Sequence, residues 1–178
     1  FRRVVHFFLL TLLFLNFAYG EALSFGTGSD GETTYQIDIL YDFQDDVAGF
    51  QFDINGGSVV GVSGGAADAA DFSIDFGSTT VLGFSFSANV IAAGSGTLLT
   101  VTYTPDENET GITLSDGTIV APGGDILTAD ISDSFTHPAD CNGDLYGSAL
   151  ADMCGTCDSD SSNDCTQDCA GVWGGSSV

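Results

Sequence analysis

Apolar and polar residues alternate with a period of two through much of the chain. Tyr35, Ile37, Ile39, Tyr41 and Phe43 alternate with Gln36, Asp38, Leu40 and Asp42, and Phe50, Phe52 and Ile54 alternate with Gln51, Asp53 and Asn55. The same phase recurs in Phe72, Ile74 and Phe76, in Leu82, Phe84 and Phe86, and in Leu99, Val101 and Tyr103. Successive side chains on a strand point to opposite faces, so each run predicts a strand with one face on a core and the other in water. Asn55-Gly56-Gly57, Gly64-Gly65, Gly94-Ser95-Gly96, Asp116-Gly117 and Pro122-Gly123-Gly124 separate the runs as turns. No stretch carries a helical period. The pattern predicts an antiparallel β-sandwich over residues 21–135, about 115 residues, enough for one modest core.

Residues 1–20 have a different character. Arg2 and Arg3 precede the apolar run Phe7-Phe8-Leu9-Leu10-Thr11-Leu12-Leu13-Phe14-Leu15, and Ala18-Tyr19-Gly20 offers small residues to a signal peptidase. The run falls short of the roughly 20 apolar residues of a spanning helix. The expectation is a signal peptide cleaved after Gly20, with the mature chain secreted, extracellular or at the cell surface and with no membrane insertion. Because the first residue is Phe rather than Met, the chain is expected to be a fragment.

After Pro138 the composition changes. All five cysteines lie beyond Asp140, among Asp, Gly and Ser. Thr136-His137-Pro138-Ala139 (136–139) reads as a linker, with His137 as a solvent-exposed spacer, and 140–178 as a Cys/Asp-rich repeat region. Asp140-Cys141-Asn142-Gly143 aligns with Asp168-Cys169-Ala170-Gly171, a period of 28 residues, giving one full unit and a truncated second. In an oxidising compartment Cys141, Cys154, Cys157, Cys165 and Cys169 are disulfide candidates. Four cysteines per unit allow three pairings, which spacing leaves open. Cys154-Gly155-Thr156-Cys157 lacks the strand-to-helix setting of a redox motif, and Trp173 is expected in a small disulfide core.

Two resemblances arise from these residues. Val47-Ala48-Gly49-Phe50-Gln51-Phe52-Asp53-Ile54 after Leu40-Tyr41-Asp42-Phe43, then Gly83-Phe84-Ser85-Phe86 and Gly96-Thr97-Leu98-Leu99-Thr100-Val101-Thr102-Tyr103, resemble the strand order of cohesin-like (carbohydrate-binding-module-like) β-sandwiches of secreted bacterial proteins. This resemblance implies a nine-stranded jelly-roll and a non-catalytic binding or scaffolding module. True cohesins bind dockerin modules through one sheet face, whose determinants are not a short motif. The tail resembles Asp/Cys-rich repeat arrays of secreted marine bacterial proteins.

Charge narrows the function further. The chain has 25 Asp and Glu against two Arg and no Lys, for a formal net charge of -23. Both Arg lie in the leader, so its removal leaves -25. Such a surface repels nucleic acid and other polyanions. It also lacks Schiff-base lysines, phosphate clamps and arginine fingers. His137 is the sole histidine after the leader, and no nucleophile-elbow pattern is present. Carboxylates are abundant enough for a two-acid glycosidase, yet none stands apart from its neighbours. The expectation is therefore no enzyme and no nucleic-acid partner. Asn108-Glu109-Thr110 fits a glycosylation acceptor.

The expected function is an extracellular binding or scaffolding module that attaches to a protein or polysaccharide ligand at the cell surface. The alternatives are a purely structural stalk or matrix segment, and an accessory module of a polysaccharide-degrading enzyme. No organic cofactor is expected. Calcium is the candidate metal, with Asp140, Asn142, Asp144, Asp158, Asp160, Asn163 and Asp164 as candidate ligands, because the ion takes roughly 6 to 8 closely spaced oxygens. An EF-hand-type loop starting at Asp140 departs from pattern at its sixth and twelfth positions, Leu145 and Ala151. On the calcium expectation, the thermal midpoint rises with calcium and falls with a chelator; coincident melts refute it.

Overall fold

The computed structural model describes residues 20–29, 34–107, 109–145 and 147–176. Residues 1–19 of the expected leader and the acceptor Asn108 lie outside the described residues. Within these described residues, thirteen strands and one short helix follow in order. They are β1 (Glu21–Ser29), β2 (Tyr35–Phe43), β3 (Gly49–Asn55), β4 (Gly57–Ser63), α1 (Gly65–Ala69), β5 (Ser73–Phe76) and β6 (Thr80–Phe84). Then come β7 (Gly94–Pro105), β8 (Gly111–Val120), β9 (Ile126–Leu127), β10 (Ala129–Asp130), β11 (Asp133–Thr136), β12 (Leu150–Ala151) and β13 (Cys157–Asp158). Among the described residues no helix is long and apolar enough to cross a membrane.

Two sheets face each other. One runs β10-β1-β2-β7-β4, and the other runs β11-β8-β3-β6-β5 with β9 beside β8. Every pair is antiparallel except β1 with β10. Nine of the sandwich strands have four residues or more, and the expected antiparallel β-sandwich is what the chain forms. Strands β12 and β13 form a separate small hairpin in the tail.

The core lies between the sheets. Ile37, Ile39, Val101 and Tyr103 from the first sheet meet Phe52, Ile54, Val81 and Ile119 from the second, each fully buried. The phase read from the sequence holds for β2, β3 and β7. Strand β7 carries one bulge opposite Ile39-Leu40, which turns both Leu98 and Leu99 inward.

In β6 the phase is opposite to the sequence expectation. Val81 and Gly83 are buried, Leu82 is 38% exposed, and Phe86 lies beyond the strand at 83% exposed. The register explains the reversal: Phe50 pairs with Gly83 and Phe52 with Val81. The Phe50 ring fills the space over Gly83, where an added Cβ would overlap it. A glycine on the inner face thus receives an aromatic ring from the neighbouring strand, and the larger residues of β6 turn outward. Phe76, also expected inside, ends the edge strand β5 and is 41% exposed.

The helix α1 was not expected from periodicity. Gly64 and Gly65 both take positive φ near 69°, and a Cβ on Gly65 would collide with the Leu98 carbonyl. This tight entry lays Ala67 on the core with no exposed surface.

His137 is also placed differently from the expected exposed spacer. It is 2% exposed, and its N–H continues the strand end by donating to the Thr110 carbonyl at 2.9 Å. The ring fits among Tyr35, Tyr103 and Phe135, a slot that only the assembled sheets create.

Phe52→Ala should cost about 3–5 kcal/mol, the usual range for deleting a core aromatic. Gly83→Val should cost about 1–3 kcal/mol by overpacking against Phe50. Urea unfolding monitored by circular dichroism measures both.

Candidate functional site

The outer face of the six-stranded sheet is built from the polar phase of β3 and the displaced phase of β6. Gly49 pairs with Phe84 on one side and Val120 on the other. In the next row outward, Gln51 pairs with Leu82 and Thr118. Asp53 pairs with Thr80 and Ser115 in the row after that. Asp75 of β5 lies beside Leu82, so a carboxylate borders the apolar residues.

Gly49 is the low point of this surface. A Cβ built there would sit 3.9 Å from the Cβ atoms of both Phe84 and Val120, so the glycine leaves a notch between two apolar walls. The notch opens into a shallow cavity of about 520 Å³ lined by Ala48, Gly49, Leu82, Phe84, Val120 and the Gly123-Gly124 turn, among others. Phe86 packs edge-on against Phe84 with ring centroids 4.8 Å apart and extends the apolar surface into solvent. Ile126, after the turn, is 74% exposed. Large exposed apolar side chains that converge on one concavity mark binding surfaces more often than scattered ones do. The opposite sheet presents Thr100, Thr102, Gln36 and Asp38 outward, with Thr100 donating to Asp38 at 2.7 Å, a polar and solvated face.

Sequence reasoning missed this site because it placed Leu82, Phe84 and Phe86 in the core. The available signal was Gly83, since a glycine at an inward strand position often receives a neighbouring ring.

The tail is organised by carboxylates that accept main-chain N–H groups. Asp140 Oδ1 accepts from Asn142 and Asp144, and its Oδ2 accepts from Ala149. Asp152 Oδ1 accepts from Cys154 and Thr156 at 2.9 and 2.7 Å. Asp168 Oδ1 accepts from Ala170 and Val172 at 2.9 and 3.0 Å. All three sites have the form Asp-x-x-Gly-x, with Gly143, Gly155 and Gly171 at positive φ and each donating to the Asp carbonyl three residues back. Donation from Thr156, then from Cys165, Cys154 and Gly155, holds the Asp152 carboxyl below its usual range against the opposing effect of desolvation.

The other candidate calcium ligands serve local turns or lie exposed to solvent. Asp158 accepts from the Asp160 N–H and from the Asn163 side chain, and Asp160 accepts from Ser162. Asn142, Asp144 and Asp164 are exposed. Among the described residues no group of three or more His, Cys, Asp or Glu side chains is placed to hold a metal ion.

Two disulfides cross in this region. Cys141 bonds Cys157 and Cys154 bonds Cys165, with Cα atoms 5.8 and 6.1 Å apart. The two cysteines of Cys154-Gly155-Thr156-Cys157 therefore face different partners, which removes the redox reading of that motif. Cys169 is a free, exposed thiol. Trp173 is 42% exposed, so the expected enclosure in a disulfide core is only partial; its ring borders Cys165 and Met153 in a small surface cavity.

No protein-family model matches the chain, and no curated protein is significantly similar in sequence. Among solved structures it is similar to a non-cellulosomal cohesin from the hyperthermophilic archaeon Archaeoglobus fulgidus, with TM-score 0.47, 17% identity, and coverage of 65% of this chain and 89% of that one. It is also similar to a chain of the CaDoc0917–CaCohA2 complex, with TM-score 0.48, 17% identity, and coverage of 65% and 98%.

Non-reducing peptide mapping should recover Cys141–Cys157 and Cys154–Cys165 as linked pairs, and denatured unreduced protein should titrate one thiol. Recovery of a Cys154–Cys157 link would contradict the crossed pairing.

Proposed function

We propose that this chain is an extracellular, non-catalytic module that holds another protein against the outer face of its six-stranded sheet. The observation that carries this reading is the apolar notch over Gly49, walled by Phe84 and Val120 and continued by Leu82 and Phe86. A partner's aliphatic side chain fits such a notch, and burying one contributes about 1.5–3 kcal/mol. The partner is a different protein rather than a second copy. After Arg3 this chain has no Lys or Arg, so two copies face each other with acids alone. Asp75, beside Leu82 at the rim, favours a partner that brings cationic groups around its apolar anchor.

Secretion is supported by the leader pattern and by the two disulfides, which persist in oxidising compartments. The Cys-rich tail serves as a compact stapled spacer between the binding face and whatever surface the protein is attached to.

Gly49→Leu fills the notch and Leu82→Asp charges its rim. Each should weaken capture of the secreted partner by about 10- to 100-fold, the scale of a binding hot spot. Thr102→Asp on the opposite sheet should leave capture unchanged, and circular dichroism should match wild type for all three. Immobilised wild type and variants are compared on secreted proteins of the source culture and on a panel of insoluble polysaccharides. Loss of polysaccharide retention in the two notch variants, without protein capture, transfers the face to a glycan ligand. Retention unaffected by either variant overturns the reading.

A further inference from the structure

His137 carries an inference independent of the binding face. It stands one residue past β11 and three before Asp140, where the Cys-rich tail begins. Its main chain extends the pairing of β11 with β8: Thr136 pairs with Gly111, and the His137 N–H donates to Thr110. Its side chain is almost wholly enclosed.

The enclosure is aromatic. Tyr35 of β2 and Tyr103 of β7 stack on the ring with centroids 6.0 and 5.8 Å away and planes within about 22° of parallel. Phe135 of β11 meets it edge-on at 6.2 Å. The ring Nε2 lies 2.9 Å from the Tyr103 hydroxyl, in a buried hydrogen bond. The main chain of Glu109, in the segment leading into β8, lies near the imidazole and favours its protonated form. In the neutral ring Nε2 can serve as the acceptor to which the Tyr103 O–H donates. The titratable groups facing the ring are thus two phenols, from β2 and β7, and Glu109, which meets it through its main chain. This box suits a neutral imidazole. A proton on Nε2 removes the acceptor, forces the Tyr103 hydroxyl to turn, and places a charge among three aromatic side chains.

We propose that His137 is an acid-operated latch: protonation of its ring releases the end of β11 from β8 and loosens the root of the Cys-rich tail. Strand β11 is suited to this role. It is an edge strand of four residues whose one ladder partner among the described residues is β8, held elsewhere by the Phe25 N–H bond to Asp133 and the Phe25–Phe135 contact. Burial pushes the imidazole below its usual range, with the Glu109 main chain opposing. An unfolded histidine titrates near about 6.5. The latch therefore contributes fully above that pH. Its contribution falls as acid first charges the unfolded group, and it is gone once the folded ring protonates as well.

Hydrogen exchange on the full chain tests the latch between about pH 7.5 and pH 5, above the range where ordinary carboxylates titrate. After correction for intrinsic exchange rates, peptides covering Asp133–His137 should lose at least about tenfold protection at the lower pH, while β2 and β7 keep theirs. The loss should begin near the titration of an unfolded histidine and level off where the NMR titration of the His137 ring is complete. In His137→Gln, whose amide can replace the neutral ring's hydrogen bonds, protection should not change over this window. Tyr103→Phe removes the donor that favours the neutral ring, so the midpoint of the ring titration should move to higher pH. The second variant keeps the test decisive if the first does not fold. Equal wild-type protection at both pH values overturns the latch. So does the same loss in His137→Gln, or an unmoved midpoint in Tyr103→Phe.

Discussion

The rings of Phe50, Phe52 and Phe72 lie nearly parallel with centroids about 6.1 Å apart, and Phe50 covers Gly83 on the neighbouring strand. That single packing arrangement sets the phase of the second sheet. With Phe50 and Phe52 inward, Gly49, Gln51 and Asp53 must face out, because side chains alternate along a strand. With Gly83 under Phe50, Leu82 and Phe84 must also face out. The concave apolar surface around Gly49 is therefore the reverse side of a well-filled core. A residue larger than glycine at 83 would press on the ring inside and disturb the notch outside.

In the proposed binding role, the lack of Lys and Arg after Arg3 is what gives this surface its selectivity. Apolar side chains on an exposed sheet invite association with any complementary patch. Here the acids spread over the other faces set a uniform repulsion between copies, weakened by salt over a distance of about 8 Å at physiological ionic strength. The face is thus sticky at short range and repelled at long range from its own kind. The outer face of the other sheet carries threonines and Asp38 beside β2 and β7, and Val60 of β4 is exposed at its edge.

The tail solves a different problem. It has too few large apolar residues for a core of its own, and small domains in that position rely on staples. Its acids replace packing with hydrogen bonds: each Asp-x-x-Gly-x turn satisfies two or three main-chain N–H groups with one carboxylate. Two crossed disulfides then restrict the unfolded chain, each closing a loop worth roughly 3 kcal/mol in the chain-entropy view. Spacing that suggested calcium ligands is also the spacing such turns require, because both call on carboxylates two to four residues from the groups they bind.

The period-two runs of β2, β3 and β7 by themselves determined the sandwich and the inward residues of those strands, because burial of one strand face leaves its mark in every second residue. Composition likewise determined that the chain is acidic and bears its cysteines at one end. Other features depended on what lies across the space between elements. Leu82 and Phe84 alternate as a core strand would, and only the ring of Phe50 above Gly83 turned them outward. His137, beside a proline, read as linker until Tyr35 and Tyr103, distant in sequence, closed around it. The cysteine pairing was open among three choices until the turns brought Cys141 to Cys157 and Cys154 to Cys165. Periodicity records whether a residue meets core or water, but not which neighbour fills the space beside it, and the proposed binding face, the proposed latch and the disulfides all rest on that second fact.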